Sequence, residues 1–237
     1  MAQEPVFTQS QKGFLLHAFT ASGAIAGLLS LSAVMNGHIR AGLIWLIICQ
    51  LIDGLDGPLA RRIDIAIHAP QINGHILDLV VDYVTCVVVP VALFVELNML
   101  PKGQEFWFAA LIIFTGALWF ARTDQETDDH WFNGFPAAWN IVVPTLLILD
   151  TDKGIKELSI LFLCGLSLSK VQFPHILRVT KFRKITILVA FIYFIALLLL
   201  SAQFPNGPMW AKPILVIAPL YIVALSVWKT WFAKESK

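Results

Sequence analysis

Residues 42–62 read GLIWLIICQLIDGLDGPLARR, and residues 74–90 read GHILDLVVDYVTCVVVP. Both runs are apolar enough for membrane helices, yet they carry Asp53, Asp56, Arg61, Asp78 and Asp82. An ionised side chain at the centre of a membrane helix costs about 2.5–3.5 kcal/mol on the gentlest scale, so acids kept there face the protein interior and serve a function. Asp53 and Asp56 are spaced i, i+3, and Asp78 and Asp82 i, i+4, which puts each pair on one helix face. The short connection predicts two antiparallel neighbours with all four acids near one end. Carboxylates converging without neutralisation repel one another. A hard divalent cation resolves the conflict, since oxygen ligands suit Mg²⁺, Mn²⁺ or Ca²⁺. Two ions about 3.5–4 Å apart would fit four shared carboxylates and suit phosphoryl chemistry.

The flanking residues fit a phosphate-handling site. Gly57 permits close approach of a ligand or a backbone, and Pro58 predicts a kink just after the acids. The planar fork of Arg61 suits a phosphate. Gly74, one turn before Asp78, leaves room for a nucleotide against the helix. The plainer reading, buried ion pairs or an ion path, suits one isolated acid better than four at these spacings.

The rest of the chain is of the same kind. Of 237 residues, 57% are hydrophobic and 14% charged, against roughly 45–50% and 25% for a soluble domain. Mean hydropathy is +0.73. The net charge of +1 leaves no basic stripe for a nucleic acid. Apolar runs at about 14–36, 41–61, 75–98, 105–122, 135–150, 155–170, 184–202 and 211–232 predict an all-α polytopic bundle of eight membrane helices in one domain, residues 1–237. The N-terminal stretch MAQEPVFTQSQKG has no short apolar core with a cleavage site, so the first run is read as retained. Cys49, Cys86 and Cys164 lie inside apolar runs and read as small buried side chains. Lys170, Arg178, Lys181, Arg183 and Lys184 precede the seventh run, and Lys229, Lys234 and Lys237 mark the tail, against Lys212 alone between the last two runs. That asymmetry predicts cytoplasmic N- and C-termini and a cytoplasmic acidic site.

Asp53-x-x-Asp56-Gly57-x-x-Ala60-Arg61, followed by Gly74-x-x-x-Asp78-x-x-x-Asp82, resembles the signature of the CDP-alcohol phosphatidyltransferase family. The resemblance implies an all-helical enzyme of a bacterial inner (plasma) membrane that moves a phosphatidyl group from a CDP-linked lipid to an alcohol. Carried over position by position, it implies that Asp53, Asp56 and Asp78 hold Mn²⁺ or Mg²⁺. Asp82 is then the general base and also touches a metal. Gly57, Ala60, Arg61 and Gly74 lie against the CDP moiety, and a homodimer is implied. One feature departs from the pattern. Most members have a shorter spacer than the twelve residues Arg62 to Asn73 (RIDIAIHAPQIN). The longer spacer resembles the branch that joins phosphatidyl from CDP-diacylglycerol to choline, giving phosphatidylcholine and CMP. HAFTASG at 17–23 and FNGFPAAWN at 132–140 resemble the same branch.

A quaternary ammonium is held by aromatic faces and nearby negative charge. Residues 119–140 (WFARTDQETDDHWFNGFPAAWN) interleave aromatics with Asp124, Glu126, Asp128 and Asp129. Trp131, Trp139 and Tyr83 are therefore the expected choline contacts. The competing expectations are an interface belt of aromatics over a solvated acidic loop, the same transfer to inositol phosphate, glycerol phosphate or serine, and a divalent-cation transporter with its acids at mid-membrane. Thr20 and Asn140 read as polar groups that cap or bridge helices. The scattered histidines, His17 and His75 among them, read as interface or supporting residues.

Overall fold

Thr8 opens the first helix with a reciprocal cap: its hydroxyl accepts from the Gln11 N–H at 3.2 Å, and Gln11 Oε1 accepts from the Thr8 N–H at 2.9 Å. The computed structural model describes residues 8–63 and 65–233. Residues 1–7 of the N-terminal stretch, and Lys234 and Lys237 of the tail, lie outside the described residues. Helix α1 (Gln9–Met35) turns back into α2 (Ile39–Ile63). A short α3 (Ile65–His68) leads to α4 (Gly74–Asp82), capped by Asn73, whose Oδ1 accepts from the Ile76 N–H at 3.1 Å. The rod continues through a π-helical segment (Tyr83–Val88) into α5 (Val89–Glu96). Pro90 has no N–H to offer the Cys86 carbonyl, and the hydrogen-bond ladder passes it in the wider register.

Small residues let α1 sit between α2 and this rod. A Cβ on Gly23 would stand 3.0 Å from Val81 Cγ1, and one on Gly27 3.2 Å from Val89 Cγ2. Such close backbone approach is how helices associate where lipid removes the hydrophobic drive. Ser30 Oγ donates to the Gly42 carbonyl at 2.8 Å and ties α1 to α2. The helix α2 runs on through Pro58 to Ile63.

The remaining helices are α6 (Glu105–Phe120), α7 (Trp139–Ile148), α8 (Lys153–Ser167), α9 (Arg183–Ala202) and α10 (Ile214–Val227, extended by flanking turns from Met209 to Phe232). Among the described residues, five helical stretches are long and apolar enough to cross a membrane: 9–35, 39–63, 74–96, 183–202 and 209–232. The expected runs at 105–122, 135–150 and 155–170 are helical but shorter. The fifth loses most, because Pro136 and the left-handed Ala137 (φ 49°) keep the chain out of helix until Trp139. At 1.5 Å per residue α7 covers only about 15 Å, half of a bilayer core.

Phe106, Leu158, Phe191 and Leu220 point outward with more than half of their surface exposed, which suits hydrocarbon and not water. The chain is an integral membrane protein. Its larger core packs Val87, Leu93 and Phe94 of the rod against Ile112, Trp139 and Ile160. A second core joins Ile47 of α2 to Tyr193, Leu197 and Leu200 of α9 and Leu215 of α10. At the helix ends that also carry the acids, strands β1 (Trp131–Asn133) and β2 (Gln172–Pro174) pair antiparallel, with Trp131 opposite Pro174, and form a small polar cap.

Candidate active site

Helices α2 and α4 bring Asp53, Asp78 and Asp82 together: one carboxylate oxygen from each lies within 4.8 Å of the others. The i, i+3 and i, i+4 spacings place the acids on facing sides of neighbouring helices. Asp56, the most buried of the four at 7% exposure, stands slightly apart with the Thr20 hydroxyl beside it. No Lys, Arg or His forms an ion pair with any of these four acids among the described residues. Clustered carboxylates without a counter-charge, presenting only hard oxygen donors, fit a divalent cation such as Mg²⁺ or Mn²⁺.

The other motif residues surround this cluster. Arg61 folds back along the helix over Gly57, its Nη1 3.4 Å from where a Cβ on Gly57 would stand. Ala60, one position before Arg61, is half-buried. Pro58 removes the N–H that would bond the Gly54 carbonyl. At Gly74 the position of a Cβ lies 3.1 Å from His17 Cε1. This glycine therefore admits the His17 ring from α1. His17 is 4% exposed, and its Nε2 is buried without a partner among the described residues. From α1, His17 and Thr20, one turn apart, reach the site. Their signal in the sequence is two polar residues at i, i+3 in an apolar helix, the spacing shown by the acids themselves.

The expected acceptor residues do not assemble into one cage. Trp131 is 1% exposed, packs with Val179 and Leu225, and has Lys229 Nζ over its ring at 5.5 Å from the centroid. Its cation face is already occupied. Trp139 is fully buried in the larger core, edge-on to Phe135 at 5.8 Å and to Phe94 at 6.5 Å. Tyr83 donates its hydroxyl to the Ile113 carbonyl at 3.2 Å and meets Phe120 edge-on at 5.9 Å. Tyr83, Phe120, Ala117 and Ala121 line a shallow cleft of about 250 Å³. A larger groove of about 720 Å³ opens between Gln11, Phe14 and Leu15 of α1 and Ala69, Gln71 and Ile72. Residues 69–72 at the end of the spacer thus wall a groove on the Gly74 side of the acids.

The expectation that the 119–140 loop offers free negative charge is corrected by its pairing. Arg122 binds Asp124 through two bonds of 2.9 Å and donates to the Ser167 and Ser169 carbonyls. Glu126 accepts from Arg178 at 3.0 and 3.1 Å and meets His130 Nδ1 at 2.6 Å. Lys229 reaches Asp129 at 2.6 Å. Only Asp128 of the four acids has no ion pair among the described residues. The bond to Arg122 holds the Asp124 carboxyl below its ordinary pKa. For Asp129, burial pulls upward, but the bonds from Lys229 and Thr127 outweigh it and the net direction is down. Burial lowers the pKa of His175, whose ring stacks on Phe132 with centroids 5.2 Å apart.

A sequence profile of the CDP-alcohol phosphatidyltransferase family matches residues 17–232. The chain is 34% identical to a phosphatidylcholine synthase of Pseudomonas aeruginosa over 224 residues, covering 93% of this chain and 94% of that protein. It is 35% identical to the phosphatidylcholine synthase of Bradyrhizobium diazoefficiens, over 82% and 73% of the two chains. It is 30% identical to that of Borreliella burgdorferi, over 92% and 94%.

Proposed function

The chain belongs to the CDP-alcohol phosphatidyltransferase family and is a CDP-diacylglycerol-dependent phosphatidyltransferase; from that premise we propose that its acceptor is choline and its products are phosphatidylcholine and CMP. The observation that carries the chemistry is the meeting of Asp53, Asp78 and Asp82 of α2 and α4 within 4.8 Å, with no ion pair among the described residues. The relatives named phosphatidylcholine synthase support the acceptor, each over most of its own length.

Asp53, Asp56 and Asp78 would hold Mn²⁺ or Mg²⁺, two ions in this reading, with Asp82 also in contact; when bound, the ions supply charge neutralisation for a diphosphate. Arg61, folded back over Gly57, adds its guanidinium to the same phosphates. Gly57, Ala60 and Gly74 lie against the CDP moiety, with His17 beside Gly74. The groove at the spacer admits the lipid from the side. Asp82 takes the proton of the choline hydroxyl, and that oxygen forms a bond to the phosphorus bearing diacylglycerol. The bond from this phosphorus to the CMP oxygen breaks, and CMP leaves with its electron pair. Positioning and charge neutralisation carry most of a phosphoryl transfer, so two helices with fixed carboxylates suffice as a scaffold.

The same proposal takes the chain as about eight membrane helices in one domain, residues 1–237. It puts both termini and the acids on the cytoplasmic side of a bacterial inner membrane, in a homodimer. A transport role would call for acids at mid-membrane, whereas these lie toward the end of α2 and the start of the 74–96 rod. The test is CMP release by purified protein given CDP-diacylglycerol, Mn²⁺ and, in turn, choline, serine, inositol phosphate and glycerol phosphate. Release with choline alone is expected. Release with one of the anionic or zwitterionic alcohols reassigns the acceptor, and none with any alcohol removes the transferase reading.

A further inference from the structure

Asn140 sits one layer below the acids. Gln50 precedes Asp53 by three residues on α2, and Cys86 follows Asp82 by four on the neighbouring rod. Both therefore stand about one turn deeper than the carboxylates, on the helix sides that carry them. Asn140 joins the two: its Nδ2 donates to Cys86 Sγ at 3.2 Å, and its backbone carbonyl accepts from Gln50 Nε2 at 3.1 Å. The carboxamide is fastened at one end only. Oδ1 is buried without a partner among the described residues, on a side chain 5% exposed. A buried polar atom left unpaired in a native protein calls for a reason, and a bound ligand, ion or water that it accepts is among them. The helix carrying Asn140 begins at Trp139 with no side-chain cap, and Trp139 Nε1 is a second buried group without a partner among the described residues.

We propose that Asn140 Oδ1, flanked by Cys86 Sγ, is the floor of the acceptor pocket and receives the onium head of the alcohol whose hydroxyl lies at Asp82; this rests on the choline reading above. The depth fits. One helical turn is about 5.4 Å, comparable to the reach of a two-carbon amino alcohol from its hydroxyl to the methyl groups on nitrogen. The chemistry fits as well. A quaternary ammonium has no N–H to donate, so it is held by the negative end of a dipole and by polarisable atoms. An amide oxygen and a thiol supply both. A neutral floor without a cation also disfavours the carboxylate of serine and the phosphate of a sugar phosphate. Asn140 gains and loses no proton; it sets specificity.

The experiment uses purified full-length protein in lipid nanodiscs with CDP-diacylglycerol and Mn²⁺. Wild-type turnover with choline tests the underlying reading separately. Given that turnover, Asn140→Leu keeps the volume and removes the oxygen. It is expected to raise the KM for choline at least about tenfold while the KM for CDP-diacylglycerol and the Kd for CMP stay put. An unchanged choline KM, or an equal loss toward both substrates, overturns the assignment. Should Asn140→Leu fail to fold, the wild-type protein decides. Saturating choline, and not serine, is expected to slow methylthiolation of Cys86 by methyl methanethiosulfonate, followed by mass spectrometry of the cysteine peptides. A Cys86 that reacts equally fast with and without choline overturns the proposal.

Discussion

Two regions of this chain are rich in acids, and they treat charge in opposite ways. In the cap, Asp124, Glu126 and Asp129 are each answered by an Arg or Lys at 2.6–3.0 Å. In the bundle, Asp53, Asp78 and Asp82 crowd within 4.8 Å, and none of them has an ion pair among the described residues. Desolvation makes an unpaired charge far more costly in the bundle than in the cap, yet that is where the pairing is missing. The difference separates charges that hold loops together from charges kept open for a ligand. A count of acidic residues along the sequence cannot make that separation.

The comparison breaks most sharply on metal removal. Chelating all divalent ions should abolish CMP release and leave the cap intact, read as unchanged near-UV circular dichroism. Full turnover in excess chelator would remove the cation from the bundle. Asp82→Asn is next: a lost general base should cost about 10²–10⁴-fold in kcat, with CDP-diacylglycerol binding retained. Undiminished kcat would hand the proton to another group. Arg61→Ala should lower kcat/KM for CDP-diacylglycerol about 10–100-fold, the worth of a charge-assisted phosphate contact of about 1.5–3 kcal/mol.

The cap should answer in stability and not in rate. Arg122→Ala strands the Ser167 and Ser169 carbonyls. A cost of about 1–3 kcal/mol would lower Tm by about 2–6 °C by itself, with kcat within about twofold of wild type. A large loss of kcat there would mean that the cap takes part in the chemistry. The smallest effect concerns pH. The Asp129 carboxyl is held below its ordinary value by Lys229 and Thr127. The stability it contributes is therefore present above the unfolded pKa and is lost as pH falls through the folded one. Being half exposed, the pair is worth no more than about 1 kcal/mol. The Tm gap between wild type and Asp129→Asn should be small at pH 7 and close below about pH 4. A gap that persists there would assign the contribution to packing.

The acids were legible in the sequence because their spacing is local. Residues three or four apart share a helix face whatever the tertiary fold, and a carboxylate in an apolar run is conspicuous by its cost. The contacts of Trp131 and Trp139 were not legible. Both belong to a run that reads equally as an aromatic cage, an interface belt or a core; for Trp131 the decision came from Val179, Leu225 and Lys229, far away in the chain, and for Trp139 from Phe94 and Phe135 in the larger core. The shortening of the fifth apolar run turned on a left-handed Ala137, which hydropathy does not register. Gln50 was readable in principle, as a polar residue three before Asp53, but its partner lies 90 residues on.

By itself, then, the amino-acid order determined a helical membrane chain with four aspartates on two neighbouring helix faces, because hydrophobic run length and helical periodicity act over a few residues. Only the tertiary structure decided which acids stay unpaired. Glu126 meets Arg178 across 52 residues and Asp129 meets Lys229 across 100, and such partners are chosen by how the helix ends are brought together.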